Sequence, residues 1–343
     1  MGLQFSEIDD AVKTTQEEFI KKGSFVDMQT SLSNHIAVRE MWQGRKKVFA
    51  GGESWDFDVQ MDHNHSARTV GLYEADSSSL NDTMAKGSVK VRHINAHYIY
   101  DLHEPAFQRG SKMIVNLVKT KYTAMMVSLF ELLEELLWSK PVDSSDTKTP
   151  FGISYWITRS ATEGFSGGNP AGFTDGKAGL SALTYTRWQN WTAQYVNVTK
   201  EDLIRKMRKA HRMSRFRSPV SHATPALGGM KNGIYLNGDT LGLFEEAAEA
   251  QNMNLGKDVA SMDGRTLFKG SPLVYVPKLD DDTADPVYMI DWEVLAIGVL
   301  AGWENNLGSP YPVPNMHNVR RVDLDASLNM VATDLRRLAV ISK

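Results

Sequence analysis

The 343-residue sequence predicts an α+β fold, with helices and strands in separate stretches of the chain. Three observations carry that expectation. Trp55, Phe57, Val59 and Met61 alternate with Asp56, Asp58 and Gln60, the period-two signature of a half-buried strand. Between Pro105 and Pro141 apolar residues recur at steps of three and four, the signature of an amphipathic helix. The last third returns to short apolar runs bounded by turns, with no repeated strand–helix–strand unit.

Composition narrows the possibilities. The length allows two domains or one large discontinuous domain, and 42% hydrophobic with 23% charged residues is ordinary for a globular protein. No stretch approaches the roughly 20 apolar residues that cross a bilayer. The N-terminus is polar and acidic, unlike a signal peptide. Met1, Gly2 and Ser6 match a myristoylation pattern that is short and common. The absence of cysteine excludes disulfides, zinc–thiolate sites, iron–sulfur clusters and thiol nucleophiles. A net charge of −3 argues against a nucleic-acid binder built on bulk electrostatics.

Taken in order, residues 6–22 read as a short helix between Ser6 and Gly23, with a thin stripe of Ile8, Val12, Phe19 and Ile20. Such a helix is marginal alone and docks on something else. The strand from Ser54 to Met61 is followed by a polar stretch over 62–88. Val89 and Val91 then alternate with Lys90 and Arg92, and Ile94, Ala96, Tyr98 and Tyr100 continue after a one-residue phase shift, which suggests a bulge or twist. Together these predict a long two-stranded arm with a polar tip. A lone hairpin is marginal in water, so the arm needs a neighbour, for which another subunit is one candidate.

Residues 105–138 give the strongest local signal. Ile114, Leu117, Val118, Met125, Met126, Leu129, Phe130, Leu133, Leu136 and Leu137 form one apolar face along a spine of roughly 50 Å at about 1.5 Å per residue. Residues 141–150 read as linker, and 161–180, with six glycines, as loop. Trp188, Trp191 and Tyr195 lie in a polar, aromatic-rich stretch. Thr199 and Asp202 approximate a capping box opening a helix to about Arg215. Turns fill 221–240, and 241–253 predicts a helix with Leu243, Phe244 and Ala247 on one side. Strands follow at 273–276, 286–290, within 292–300 and between 319 and 341.

The chemistry-bearing clusters are sparse. His63 and His65, two apart in Asp62-His63-Asn64-His65, would face one side of a strand and form the best metal-like pair, but no second cluster accompanies them. Gly176-Lys177 is followed by Ala178 and so fails the phosphate-loop pattern. Arg205, Lys206, Arg208, Lys209, His211, Arg212, Arg215 and Arg217 make a dense basic run, suited to ion pairs with a neighbouring subunit or to sequence-blind phosphate contacts. Glu134-Glu135 and Glu245-Glu246 read as solvated pairs on exposed helix faces.

These elements, in this order, resemble the tailed-phage major capsid proteins of the HK97-like fold along nearly the whole chain. The resemblance is carried by Phe151-Gly-Ile-Ser-Tyr-Trp156, by the glycine-rich run leading to Leu183–Trp191, and by Phe268–Val276 with Pro286–Asp291. The ending Asp334–Ile341, with its arginine pair, completes it. The resemblance implies an N-terminal arm (1–45), an extended hairpin loop (46–100), a spine helix (101–150), an axial domain (151–270) and C-terminal strands of a peripheral domain (271–343). It implies a structural protein with no catalytic, cofactor or metal residues, which assembles with copies of itself in pentamers and hexamers. The shell would enclose double-stranded DNA without reading its sequence. A separate scaffolding protein is implied as well, since the hairpin starts too early for the helical extension some members carry. A portal and a decoration protein are further expected partners, the virion the expected location, and no membrane is involved. Trp55, Phe57, Tyr73, Lys86, Arg92, Arg205, Arg208, Arg212 and Arg215 are the inter-subunit contact candidates, with Lys86 also a conceivable isopeptide donor. Two rivals remain, an encapsulin-like compartment shell and a metal-dependent enzyme using His63 and His65.

Overall fold

A computed structural model of the chain describes residues 35–39, 46–63, 67, 69–72, 83–104, 111–215, 232–252, 259–262 and 265–343. The predicted helix over 6–22 lies outside these residues. The first elements are the strands β1 (Lys46–Phe49), β2 (Ser54–Gln60), β3 (Met84–Lys90) and β4 (Arg92–Asp101). The long helix α1 (Ser111–Trp138) and the short turn α2 (Ile153–Trp156) follow, then β5 (Gly164–Gly167), β6 (Asn190–Gln194) and helix α3 (Arg205–Ser214). Next come β7 (Asn232–Leu236), helix α4 (Gly238–Asn252), β8 (Val259–Met262), β9 (Arg265–Phe268) and β10 (Ser271–Tyr275). The chain closes with β11 (Val287–Asp291), β12 (Leu295–Leu300), β13 (Asn306–Leu307), β14 (Tyr311–Pro312), β15 (Val319–Ala332) and β16 (Ala339–Ser342). This mixture of sheets and few helices is the α+β class expected.

An eight-stranded mixed sheet runs β5-β6-β16-β11-β7-β10-β9-β8. Side chains alternate across it, as strand geometry requires. Ile234, Leu236, Val287, Met289, Ala339 and Ile341 point into one core with α3 and α4, while Tyr235, Tyr288, Ile290 and Val340 point into the other with α1 and α2. The sheet is therefore buried on both faces, which explains why β11 is buried at every position.

A second sheet is organised by β15, which pairs antiparallel with β4 from Val319↔Asp101 to Leu328↔Arg92 and with β12 from Leu295↔Ala332 to Val299↔Leu328. β1 extends it parallel to β12. On β4, Arg92, Ile94, Tyr98 and Tyr100 turn inward and His93, Asn95 and Ile99 outward. The buried side of α1 (Tyr122, Met125, Met126, Leu129, Phe130, Leu133 and Leu137) packs in the same core.

The hairpin departs from the expected single long arm. β2 pairs only with β3, from Ser54↔Lys90 to Gln60↔Met84, and the chain changes sheet at Val91, whose N–H closes the hairpin on the Glu53 carbonyl at 3.0 Å. The phase shift between Val91 and Ile94 marks a transfer from one sheet to another. Arg92 is pulled inward there because its guanidinium donates to the Thr147 and Asp146 carbonyls.

Glu134 is a second departure. Its carboxylate is buried, accepting the Ala37 and Val38 N–H groups at 3.2 and 3.0 Å and the Trp138 indole N–H at 2.7 Å. A buried carboxylate is tolerated when donors replace its water, and here they fasten the chain at 37–38 to α1. Leu243 likewise faces solvent at 48% exposure, while Phe244 is buried on the inner side of α4 with Thr240 and the half-buried Leu241 and Ala247.

Replacing Glu134 by Ala leaves those three donors without an acceptor. At about 1–3 kcal/mol for each stranded group, the unfolding free energy should fall by about 3 kcal/mol or more. Glu134→Gln, which keeps one acceptor oxygen, should lose less. Urea unfolding measures the loss, and amide exchange at Ala37 and Val38 should accelerate in parallel; unchanged exchange there would refute the clamp.

Candidate assembly surface

The hairpin is two-sided. Trp55, Phe57 and Val59 of β2 and Ala85, Gly87 and Val89 of β3 share the inward side. Trp55 stacks on Phe49 with centroids 4.5 Å apart, and Phe57 tilts over Trp188 at 6.3 Å. Gly87 is required because a β-carbon would come within 2.7 Å of the Phe57 ring. Ser88 N–H donates to the Ala178 carbonyl at 3.0 Å. The described part of the arm therefore lies on its own subunit. Its outer side is polar, where Lys86 pairs with Asp56 at 2.9 Å and holds that carboxyl below its usual range through the hydrogen bond. Beyond β2 the chain exposes Val70 (60%) and Leu72 (93%), apolar residues that their own subunit leaves uncovered.

Helix α3 begins as the sequence predicts. Thr199 Oγ1 accepts the Asp202 N–H at 3.3 Å, and Asp202 turns its carboxylate back to the Val196 and Asn197 N–H groups. One π-turn (200–204) precedes the α-helix. Leu203, Ile204, Met207 and Ala210 are buried against β6 and β16, so the cations are turned outward. Lys206 pairs with Asp202 four residues earlier, and Lys209 with Glu163 at 2.5 Å. Arg205, Arg212 and Arg215 remain exposed. His211 is partly sheltered, its Nε2 without a hydrogen-bond partner among the described residues, and burial together with Arg215 and Lys269 pushes its pKa down to about 4.

Two further polar groupings and a groove sit at junctions of the fold. Lys177, 1% exposed, donates to Thr158 Oγ1, the Gly167 carbonyl and Asn190 Oδ1 at 3.0, 3.1 and 2.9 Å, and burial holds its pKa well below the usual lysine value. The glycine-rich stretch thus buries its lysine as a structural post, and part of it forms β5. Arg159 pairs with Asp282 and donates to Tyr288 Oη at 3.1 Å, beside a cleft of about 740 Å³ that Lys140 and Lys278 also line. A shallower groove of about 500 Å³ runs between β4 and α1, past Ile99, Lys121 and Leu132.

Several expected contact residues are accounted for by their own subunit. Trp55 and Arg92 are buried (3% and 8% exposed), held within the chain by the Phe49 stack and by the 146–147 carbonyls. Phe57 is half-buried over Trp188, and Arg208 is half-buried on the flank of α3. Lys86, Arg205, Arg212 and Arg215 are exposed. Tyr73 and His65 lie outside the described residues, as do Asn64 and Arg217. Among the described residues no group of three or more His, Asp or Glu side chains is placed to hold a metal ion. Glu134 is the residue the sequence reading missed, although its spacing of four from Phe130 and three from Leu137 set it within the apolar stripe.

No protein-family model matches the sequence, and no curated protein matches it. Solved structures do match in fold. The capsid asymmetric unit of cyanophage A-1(L) is similar over 92% of both chains, with a TM-score of 0.57 at 13% identity. The holo-SrpI encapsulin complex from Synechococcus elongatus PCC 7942 matches over 90% of this chain and 86% of its own (0.52, 9%). The mature capsid of bacteriophage PhiM1 matches over 88% and 86% (0.50, 13%). The chain therefore has the fold of these shell subunits, the HK97-like fold that the sequence led us to expect.

The His211 environment makes a pH prediction. Its folded pKa, about 4, lies below the unfolded value of about 6.5, so the unfolded chain takes up the proton first. The stabilising difference is whole above about pH 6.5 and is lost as pH falls towards 4. Thermal unfolding of wild type and His211→Gln across that window should show the variant losing less stability on acidification; parallel curves would refute the assignment.

Proposed function

We propose that the protein is the major capsid protein of a tailed double-stranded DNA phage, a structural subunit and not an enzyme. The observation that carries this reading is the shared fold with the cyanophage capsid subunit over more than nine-tenths of both chains, which leaves no sizeable part for another role. The uncovered apolar residues beyond β2, the exposed arginines of α3 and the clamp that sends residues 37–38 along α1 support it.

In this reading α1 is the spine of a peripheral domain that includes the β15 sheet. The eight-stranded sheet with α3 and α4 is the axial domain, converging on five- and six-fold axes. The hairpin beyond β2 and the N-terminal arm reach neighbouring subunits. Wrap-around contacts of this kind bury far more area than a transient interface, and head-to-tail contacts that close make rings. The shell, assembled in the host cytoplasm with a scaffolding protein, portal and possible decoration protein, encloses the genome without base recognition.

A second reading, a nanocompartment shell enclosing enzyme cargo, is favoured by the likeness to the encapsulin. The two share the assembly and differ in content. Negative-stain imaging and light scattering of the purified recombinant protein should give closed shells, capsomer rings or tubes. Shells that package DNA in the presence of a portal support the phage reading, whereas shells recovered with a stoichiometric enzyme support the compartment. A monomer or dimer unchanged at high concentration and with co-expressed scaffold overturns both.

A further inference from the structure

Helix α3 carries more positive charge than its own subunit uses. Arg205, Lys209 and Arg212 are exposed and spaced four and three residues apart, which sets them above one another on a single stripe. Lys209 reaches Glu163, but neither Arg205 nor Arg212 makes an ion pair or hydrogen bond with any described residue. Helix α4 shows the converse. Asp239, Leu243 and Glu246 repeat the same spacing on its outer side, Leu243 is 48% exposed, and neither carboxylate has an ion pair or hydrogen bond among the described residues.

The sheet places these stripes relative to one another. Leu203, Met207 and Ala210 of the α3 segment and Phe244 of α4 enter the same core, so both helices cover one face of the eight-stranded sheet. α3 lies over β6 and β16, and α4 lies against β10. From β16 to β10 is three strand steps, or roughly 14 Å at about 4.8 Å each. That exceeds the screening length of about 8 Å at physiological salt, so the stripes do not neutralise each other within the subunit.

A subunit with opposite charges towards opposite ends of one sheet is built for head-to-tail contact, in which one patch meets a different patch on the next copy. An isologous pairing could join the same stripes only as two reciprocal contacts across a two-fold axis, which closes at two copies and cannot build the rings of the shell reading. We propose that the Arg205–Lys209–Arg212 stripe of one copy docks on the Asp239–Leu243–Glu246 stripe of the next, with Leu243 as its apolar centre. The occupant is a second copy of this chain, because the matching stripe, opposite in sign and equal in spacing, is on the chain itself. This inference rests on the shell reading above.

A charge exchange tests it. Arg205→Glu/Arg212→Glu and Asp239→Arg/Glu246→Arg should each lower the assembled fraction at least tenfold by light scattering and negative stain. Each should unfold, as a dissociated subunit, at the wild-type temperature. The chain carrying all four substitutions should regain assembly, since the exchanged stripes again match. If a reversal impairs folding, the milder pair Arg205→Gln/Arg212→Gln should still weaken assembly and reduce its sensitivity to sodium chloride. Full assembly by both double variants overturns the inference, as does loss in both without recovery in the fourfold variant. Unaltered shells of the arginine variants that retain less DNA would instead assign α3 to the phosphate backbone and also overturn it. A wild-type chain that forms no shell at all refutes the shell reading itself, so the two failures are distinguishable.

Discussion

The fold depends on one strand being shared. β15 pairs with β4 along its first ten residues and with β12 along its last five, while β13 and β14 occupy its other edge near the start. Within it Asn329, fully buried, joins three separate parts of the chain. Its Oδ1 accepts the Phe151 N–H at 2.7 Å and the Met330 N–H at 2.8 Å, and its Nδ2 donates to the Lys90 carbonyl at 2.7 Å. Trp156 Nε1 bonds the Met330 carbonyl at 3.1 Å on the same stretch. The hairpin root, the turn after α1 and the long strand are thereby registered by a single amide whose partners no water could replace so directionally. Phe151, Tyr155 and Trp156 pack around that joint, with Phe151 stacked on Tyr155 at 3.9 Å.

Buried polar groups elsewhere follow the same rule, and each stands where two elements must hold a fixed relation. Glu134 fastens residues 37–38 to α1, Lys177 fastens its glycine-rich turn to Asn190 at the start of β6, and Arg337 pairs with Asp291 at 2.5 Å between the last turn and the end of β11. Removing one member of such a group strands the others in a low-dielectric interior, which is why these contacts specify geometry more than they add net stability. The result is an interior whose elements are linked by directional contacts.

The elements that were legible in the sequence are those with one dominant period. α1 followed from its apolar recurrence, β2 from strict alternation, and the start of α3 from the Thr199 cap, because each signal is local. What failed was non-local. Nothing in the alternation of residues 89–100 says which partner each half pairs with, so a change of sheet at Val91 looked like a bulge. Lys177 and Glu134 are polar residues with partners up to 19 and 97 residues away, and local reading places such residues in solvent by default. Leu243 erred the other way, since short helices allow two registers for an apolar stripe and only the packing of Phe244 selects one. The same limit holds for Trp55 and Arg92, whose burial rests on Phe49 and on the 146–147 carbonyls, partners that the local pattern does not announce.

The division between an interior linked by directional contacts and weakly held surface charge has a consequence for assembly. Exposed ion pairs contribute only about 0.2–1 kcal/mol each and are weakened by salt. A single head-to-tail contact built on α3 and α4 would therefore be reversible, and a misplaced subunit could leave before its neighbours trapped it. Ring closure changes the balance, because a subunit in a closed ring is held on both sides at once and the second contact is effectively intramolecular. In the proposed shell the apolar residues beyond β2, exposed in the single chain, would form a second layer: their burial is non-directional and scales with area, so it would add strength only after the charged stripes had set the register. Charge at the helices and apolar surface at the arm would in this way be complementary, one selecting the arrangement and the other retaining it.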